Sequence, residues 1–501
     1  MKRYLLFFAL SFMALSAMAQ NDDWAFDFDE WVDQSDFDAF KKADNEKFDA
    51  YRDSINRDFA RALEGKWSPF KTNPPKERPQ KPDPKEPPIA PERGPMSKPV
   101  DLELMPSNPV LPAPEPPAPE KRHIPLPKPP AMSQTMDVPF YGSNVRVELP
   151  LKNEMDKCYL AGTDERSVAN FWRSLTNSDF QSTVNILVNA QRSMRLNDWA
   201  MYDMTVCLTK KVFPGNNDAQ AVATVFLLNQ MEYDARICRT NKGLACMLAI
   251  RDIMVYDIPY LTMGGRNYFL FMPNGAQKTI DGNICTYNVN FAHATIPVNI
   301  SLARSPRIPR AAAQRTYNRT VSGRTVNITA NQNLLDFYKG YPQVDMQVYA
   351  NAAVDSATSA SLLRQFRPMV EGKSKKDAVA TLLHHLQYCF DYATDDDQFG
   401  YEKPFFVEEN FYYPKNDCED RAILLSWLVR KLLGMDVVLL HYPNHLSMAV
   451  CFPEGGVSGT YVTIDGKRYV ECDPTYIGAS IGMTQPSYRG VAPEVIRVAR
   501  Y

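Results

Sequence analysis

The sequence has no Cys-x-x-Cys pair, no lysine- or arginine-rich block interleaved with aromatics, and no apolar run after its first twenty residues long enough to cross a bilayer. Without cysteine pairs there is neither a zinc-ligand spacing nor a disulfide scaffold, and the odd total of nine cysteines leaves at least one thiol unpaired. Without a basic block, and with a formal net charge of −2, nucleic acid has no electrostatic footprint to bind. Without apolar runs, no transmembrane segment is predicted once an N-terminal signal has been removed. Histidine is scarce as well: six in 501 residues, so a search for an imidazole partner to any reactive thiol is short.

What is present begins with MKRYLLFFALSFMALSAMAQ, in which Lys2 and Arg3 precede an apolar run from Leu5 to Leu15 and the small-x-small site Ala17-Met18-Ala19. This predicts a signal peptide over 1–19 and an exported chain, periplasmic or secreted. Residues 20–66 form an acidic, aromatic segment. Phe37, Phe40, Phe48, Tyr51, Ile55, Phe59 and Leu63 fall near helical spacing, predicting a helical arm that either docks on the globular part or reaches an envelope partner. Of the 39 prolines, 22 lie between Pro69 and Pro130, so residues 67–130 are expected to be an extended Pro-rich linker.

The remainder has the patterning of globular chain. FPGNNDAQAVATVFLLNQMEYDARI at 213–237 resembles YPKNDCEDRAILLSWLVRKLLGMDVVLL at 413–440, and GRNYFLFMP at 265–273 resembles GKRYVECDP at 466–474. The two pairs predict a duplication: a degenerate domain over 131–290, a β-rich connection over 291–370, and a catalytic domain over 371–501. Aligned this way, Ala219, Leu244 and Met272 stand opposite Cys418, His445 and Asp473. All three polar positions of the second copy are apolar in the first.

Those three residues carry the chemistry. Asn416 and Asp417 are good helix caps, and Ala422, Leu425, Val429 and Leu432 recur at helical spacing up to Gly434, placing Cys418 in a first helical turn. There the helix dipole favours a thiolate, while Asp417 and Glu419 oppose it. The following segments read as three strands; His445 begins the second and Asp473 ends the third, and adjacent antiparallel strands bring such ends together. A thiol nucleophile, an imidazole base and a carboxylate that orients the base make a triad. His441 is the rival imidazole, Cys451 and Cys472 are rival thiols in apolar strands, Asp473 before Pro474 could be a turn former, and Asp420 is expected to be structural.

This order of NDCEDRA, NHLSMAV and ECDPTY resembles the transglutaminase-like cysteine proteases of the papain-like superfamily, over roughly residues 375–480. DDDQFGYEKPFFVEENFYYPKNDCEDRA is most similar to the bacterial transglutaminase-like periplasmic peptidases, with Asn416 in place of their usual glycine. The resemblance implies an α+β fold with a helix packed on an antiparallel sheet. It also implies a thiol hydrolase acting on peptide or isopeptide bonds of a protein or peptide substrate through a thioester. No cofactor is required by that chemistry, but the resembled peptidases bind calcium through acids matching Asp417 and Glu419. Acyl transfer to an amine, or a non-catalytic envelope scaffold, are the alternatives the sequence leaves open.

Overall fold

The computed structural model describes residues 34–78, 86–91, 100–102, 133–150, 154–280, 282–311 and 315–499, so the expected signal peptide and residues 20–33 of the arm lie outside the described residues. The chain divides into residues 1–55 and 56–501. Within the first, residues 34–55 belong to helix α1 (Gln34–Leu63), and Tyr51 is exposed rather than buried on an apolar stripe. In the second, the last turns of α1 join a core. Phe59 lies 4.8 Å from Trp172 and 5.2 Å from Phe291 between ring centroids, and Leu63 is fully buried. No helix of the described residues is long and apolar enough to cross a membrane.

The larger unit mixes helices with antiparallel sheets. After β1 (Ser68–Lys71) and the hairpin β2–β3 (Ser133–Phe140, Ser143–Pro150) come α2 (Glu165–Asn177), α3 (Phe180–Met194), α4 (Asp198–Val212) and α5 (Asn217–Gln230). Asp164, Asp179, Asn197 and Asn216 each cap one of these helices by accepting a first-turn amide. Strands β4 (Ala235–Thr240), β5 (Gly243–Ala249), β6 (Tyr260–Met263), β7 (Arg266–Phe271) and β8 (Asn283–Thr286) then form a sheet in the order β1-β8-β4-β5-β7-β6. Asn73, just past β1, bridges Tyr260 on β6, so the two edges of this sheet meet. Every residue of α5 from Ala219 to Asn229 is buried, which is why its sequence is apolar around its whole circumference.

The second half follows a hairpin, β9–β10 (Thr316–Val321, Arg324–Thr329), and helices α6 (Gln332–Lys339), α7 (Met346–Asn351), α8 (Ser356–Val370) and α9 (Lys375–Cys389). The expected β-rich connection over 291–370 thus carries one β-hairpin and three helices, with more of its described residues in helix than in strand. The alternating stretch near 296–300 contributes isolated parallel bridges, Ile296 to Tyr233 and Val298 to Ile250, just outside the paired β4 and β5. Then come β11 (Asp391–Tyr392), α10 (Asp395–Phe399), β12 (Lys415–Asn416), the central helix α11 (Cys418–Leu433), β13 (Val437–Tyr442), β14 (His445–Cys451), β15 (Tyr461–Ile464), β16 (Lys467–Cys472) and β17 (Glu494–Arg497). The five strands pair antiparallel in the order β15-β16-β14-β13-β17, and α11 packs on β13 and β14. This is the order β6-β7-β5-β4-β8 of the first sheet, each sheet preceded by one buried helix.

The described parts of the 67–130 segment are not a spacer but a strap. Beyond β1, the Ala90 amide donates to the Ile477 carbonyl (2.8 Å) and the Ile477 amide to the Pro88 carbonyl (2.9 Å). Further on, Tyr461 on the edge strand β15 donates to Val100 and accepts from Leu102, each at 2.9 Å. Proline forbids an inner strand but not a single extended run at a sheet edge, and there it also blunts the exposed edge.

Candidate functional site

Helix α11 begins at the site. Asp420 reaches back as half of a capping box: its Oδ2 accepts the Asp417 amide at 3.3 Å and its Oδ1 the Phe405 amide at 2.9 Å. Burial, with the charges of Asp395 and Glu419 beside it, raises the Asp420 carboxyl well above the usual range. Asp420 is therefore a structural acid. Cys418 is the first helical residue and is 1% exposed. Its Sγ accepts the Leu446 amide at 3.4 Å and donates to Glu419 Oε2 at 3.1 Å.

The Leu446 contact puts the thiol at the very start of β14. His445 opens that strand, across the two-residue turn Pro443-Asn444 from Tyr442, with Asn444 in the left-handed region at φ 66°. Met448 on β14 pairs with Cys472 on β16, so the residue after Cys472 returns toward His445. His445 Nε2 meets Asp473 Oδ2 at 2.9 Å, with both side chains buried. Asp473 Oδ1 accepts the amides of Thr475 (2.9 Å) and Tyr476 (3.2 Å). Burial pushes the Asp473 carboxyl up, but the His445 charge and hydrogen bond, the Thr475 amide and Gln485 outweigh it and hold it below the usual carboxylate range. An ionised acid therefore faces Nε2, and Nδ1 is the ring nitrogen turned away from Asp473.

The scaffold around this pair was not legible as a motif. Gln387 on α9 donates to the carbonyls of Tyr476 (2.8 Å) and Ala479 (3.0 Å), clamping the loop that follows Asp473. Arg421, fully buried, binds the Asn416 side chain at 2.8 Å and the Phe390 carbonyl at 3.1 Å, tying α11 to α9. Tyr488 stacks on the His445 ring with centroids 5.0 Å apart at 13°. Lys403 reaches Glu409 at 2.5 Å beneath Phe399, Phe405 and Tyr413.

The rivals stand elsewhere. His441 is part-exposed and faces Glu494 on β17 at 3.4 Å. Burial drives the Cys472 thiol far above its ordinary range, and Cys389 up to about 11. All nine cysteines are free, so no disulfide forms. For metal, Asp417, Cys418 and Glu419 offer ligand atoms within 4.8 Å of one another, and so do Asp395, Glu402 and Glu419. The sequence reading named Asp417 and Glu419 but missed Asp395 and Glu402, which arrive from the acidic approach and not from the helix. Comparisons of the chain with protein-family models, with curated proteins and with solved structures returned no match.

Proposed function

We propose that this protein is an exported thiol hydrolase with a transglutaminase-like, papain-like core, acting on peptide or isopeptide bonds of a protein substrate through Cys418, His445 and Asp473. The observation that carries the reading is the convergence at one strand start. The thiol lies on the amide of Leu446, and the preceding residue, His445, is hydrogen-bonded to a buried carboxylate. In this mechanism the Cys418 thiolate attacks the amide carbonyl while the His445 imidazolium keeps its proton. The C–N bond breaks as Nδ1 gives that proton to the leaving amine, leaving a thioester. His445 then takes a proton from water, the hydroxide attacks the thioester, and the acid product and the thiolate leave. Asp473 holds the ring and balances its charge. The Cys418 amide steadies the oxyanion, a role worth roughly 3 kcal/mol per donor.

Read as a duplication, the matching strand orders of the two sheets support the reading from the other half. Matching turns Asn241-Lys242 and Pro443-Asn444 set Gly243, and not Leu244, at the His445 position. The Leu244 amide donates to Asp218 Oδ1 at 2.6 Å, where that of Leu446 donates to Cys418. A Cβ on Gly243 would lie 2.5 Å from that oxygen, so no imidazole fits there without movement. The first copy, on this account, keeps the fold and has filled the site.

Calcium fits the donor set: Asp395, Glu402 and Glu419 present carboxylate oxygens, the hard ligands it takes, with Asp417 in the adjoining cluster. The ion would neutralise crowded acids and compete for the carboxylate that now accepts the Cys418 thiol proton. Profiling a peptide library with wild type and Cys418→Ala tests the function. Cleavage lost in the variant, with a thioester trapped as a hydroxamate by hydroxylamine, is expected; equal cleavage by both proteins, or none by either with and without calcium, refutes it. Incorporation of a labelled amine in place of water would mark acyl transfer.

A further inference from the structure

We propose that Gln485 is a positioning residue that fixes which nitrogen of His445 faces the thiol; the proposal rests on the thiol-hydrolase reading above. Its side chain is buried, with the amide nitrogen 2.8 Å from Asp473 Oδ2 and 3.1 Å from His445 Nε2. An ionised oxygen at that distance accepts only the NH2 end of an amide, so Asp473 dictates the orientation of Gln485. Asp473 Oδ2 thus receives two donors, Gln485 and the His445 Nε2–H, while Oδ1 is held by two backbone amides. All four together leave the carboxylate no rotation. A ring whose Nε2 lacked its proton could accept the Gln485 NH2 at 3.1 Å but would set a lone pair against the charged Asp473 oxygen at 2.9 Å; the charge decides, so the Nε2–H form is retained while Gln485 holds that carboxylate in place, and Nδ1 is the basic nitrogen.

The backbone that carries Gln485 is anchored in the sheet rather than draped over it. Gly482 donates to the Glu471 carbonyl at 2.7 Å and accepts from Thr460 at 2.9 Å, and the Thr484 hydroxyl donates to the Glu471 side chain. One turn on from Gln485, Tyr488 covers one face of the imidazole. The segment 482–488 therefore presents a donor and a ring to one pair of residues, and nothing in its composition would single it out in the sequence.

The test uses the full chain labelled with 15N-histidine, with the His445 signals assigned through His445→Ala. In wild type above neutral pH, Nε2 is expected to carry the protonated-type shift and Nδ1 the unprotonated one. In Gln485→Leu the two are expected to average, and alkylation of Cys418 by iodoacetamide at pH 6 to fall about tenfold or more. Gln485→Glu, which keeps the shape, is expected to raise the pH at which the ring loses its proton, because a second acid then stands beside it. An unchanged tautomer and titration in both variants overturns the proposal, even if urea midpoints drop, since that pattern marks a mere loop anchor. Failure of the enzyme reading looks different: wild-type Cys418 reacts as an ordinary thiol, while the His445 shifts still decide the role of Gln485.

Discussion

Lys403→Met is the perturbation whose cost follows most directly from the geometry. The ammonium lies 2.5 Å from Glu409 Oε1, in a pair that is nearly buried on the lysine side and fully on the other. Burial alone would pull the lysine down; the charge of Glu409 outweighs it and holds Lys403 above the ordinary lysine range. Removing the cation leaves a buried carboxylate that keeps the Phe406 amide at 3.0 Å but loses its counter-ion, which typically costs 3–5 kcal/mol. Loss of the cation over three aromatic faces adds about 1 kcal/mol, partly offset by sulfur–aromatic contacts of the new methionine. A net loss of roughly 4 kcal/mol is expected. The double variant Lys403→Met/Glu409→Gln has no stranded charge and is expected within about 2 kcal/mol of wild type. Urea denaturation of the four proteins closes the cycle. The reasoning is refuted if the single variant loses under about 1 kcal/mol, or if the two single losses simply add. The site is implicated because the same loop delivers the Lys403 amide to Asp395 and the Phe405 amide to Asp420, at the foot of α11.

Three further outcomes are expected. His385 is buried, and burial first, then its cationic neighbours, lowers its pKa to about 4. Its unfolded form binds a proton below about 6.5, so stability is full above that pH and falls by up to roughly 3 kcal/mol toward pH 4. His385→Gln should flatten this part of the acid limb in urea midpoints measured from pH 4 to 7. Gly482 lies at φ 83° with the Ser458 carbonyl 2.3 Å from where a Cβ would stand; Gly482→Ala should therefore cost more than about 2 kcal/mol and disturb the segment carrying Gln485, read by the His445 shifts. Ala90 packs on Tyr476 and Ala479. Ala90→Glu places a charge in that contact and should speed proteolysis around Pro88–Ala90 at a stability cost of about 1–3 kcal/mol; an unchanged cleavage rate would mean that run is not held there.

The elements that carry Cys418, His445 and Asp473 were legible because each is a local signal. An Asx residue before an apolar helical stripe places Cys418, a two-residue turn places His445, and the apolar run ending at Cys472 places Asp473 one residue past a strand. What the sequence concealed is long-range. Pro88–Ala90 reads as linker since its partner, Ile477, lies nearly four hundred residues away. Gln485 and Tyr488 have no periodicity and acquire meaning only when Gly482 pins their loop beside Glu471. Leu244 was set opposite His445 by counting along the chain, whereas strand register depends on turns, and it is Gly243 that follows the turn Asn241-Lys242 as His445 follows Pro443-Asn444. Asp395 and Glu402 were visible as acids but not as neighbours of Glu419, which requires the fold of the aromatic loop between them.

The most direct measurement is the alkylation rate of Cys418 against pH, resolved by peptide mapping, in wild type and in His445→Ala, with and without calcium. The account predicts that Cys418 alone among the nine thiols reacts well below pH 8.5, the ordinary range of a free thiol, and that His445→Ala abolishes this advantage. A Cys418 rate that tracks an ordinary thiol and is indifferent to the substitution, with calcium present or absent, would contradict it.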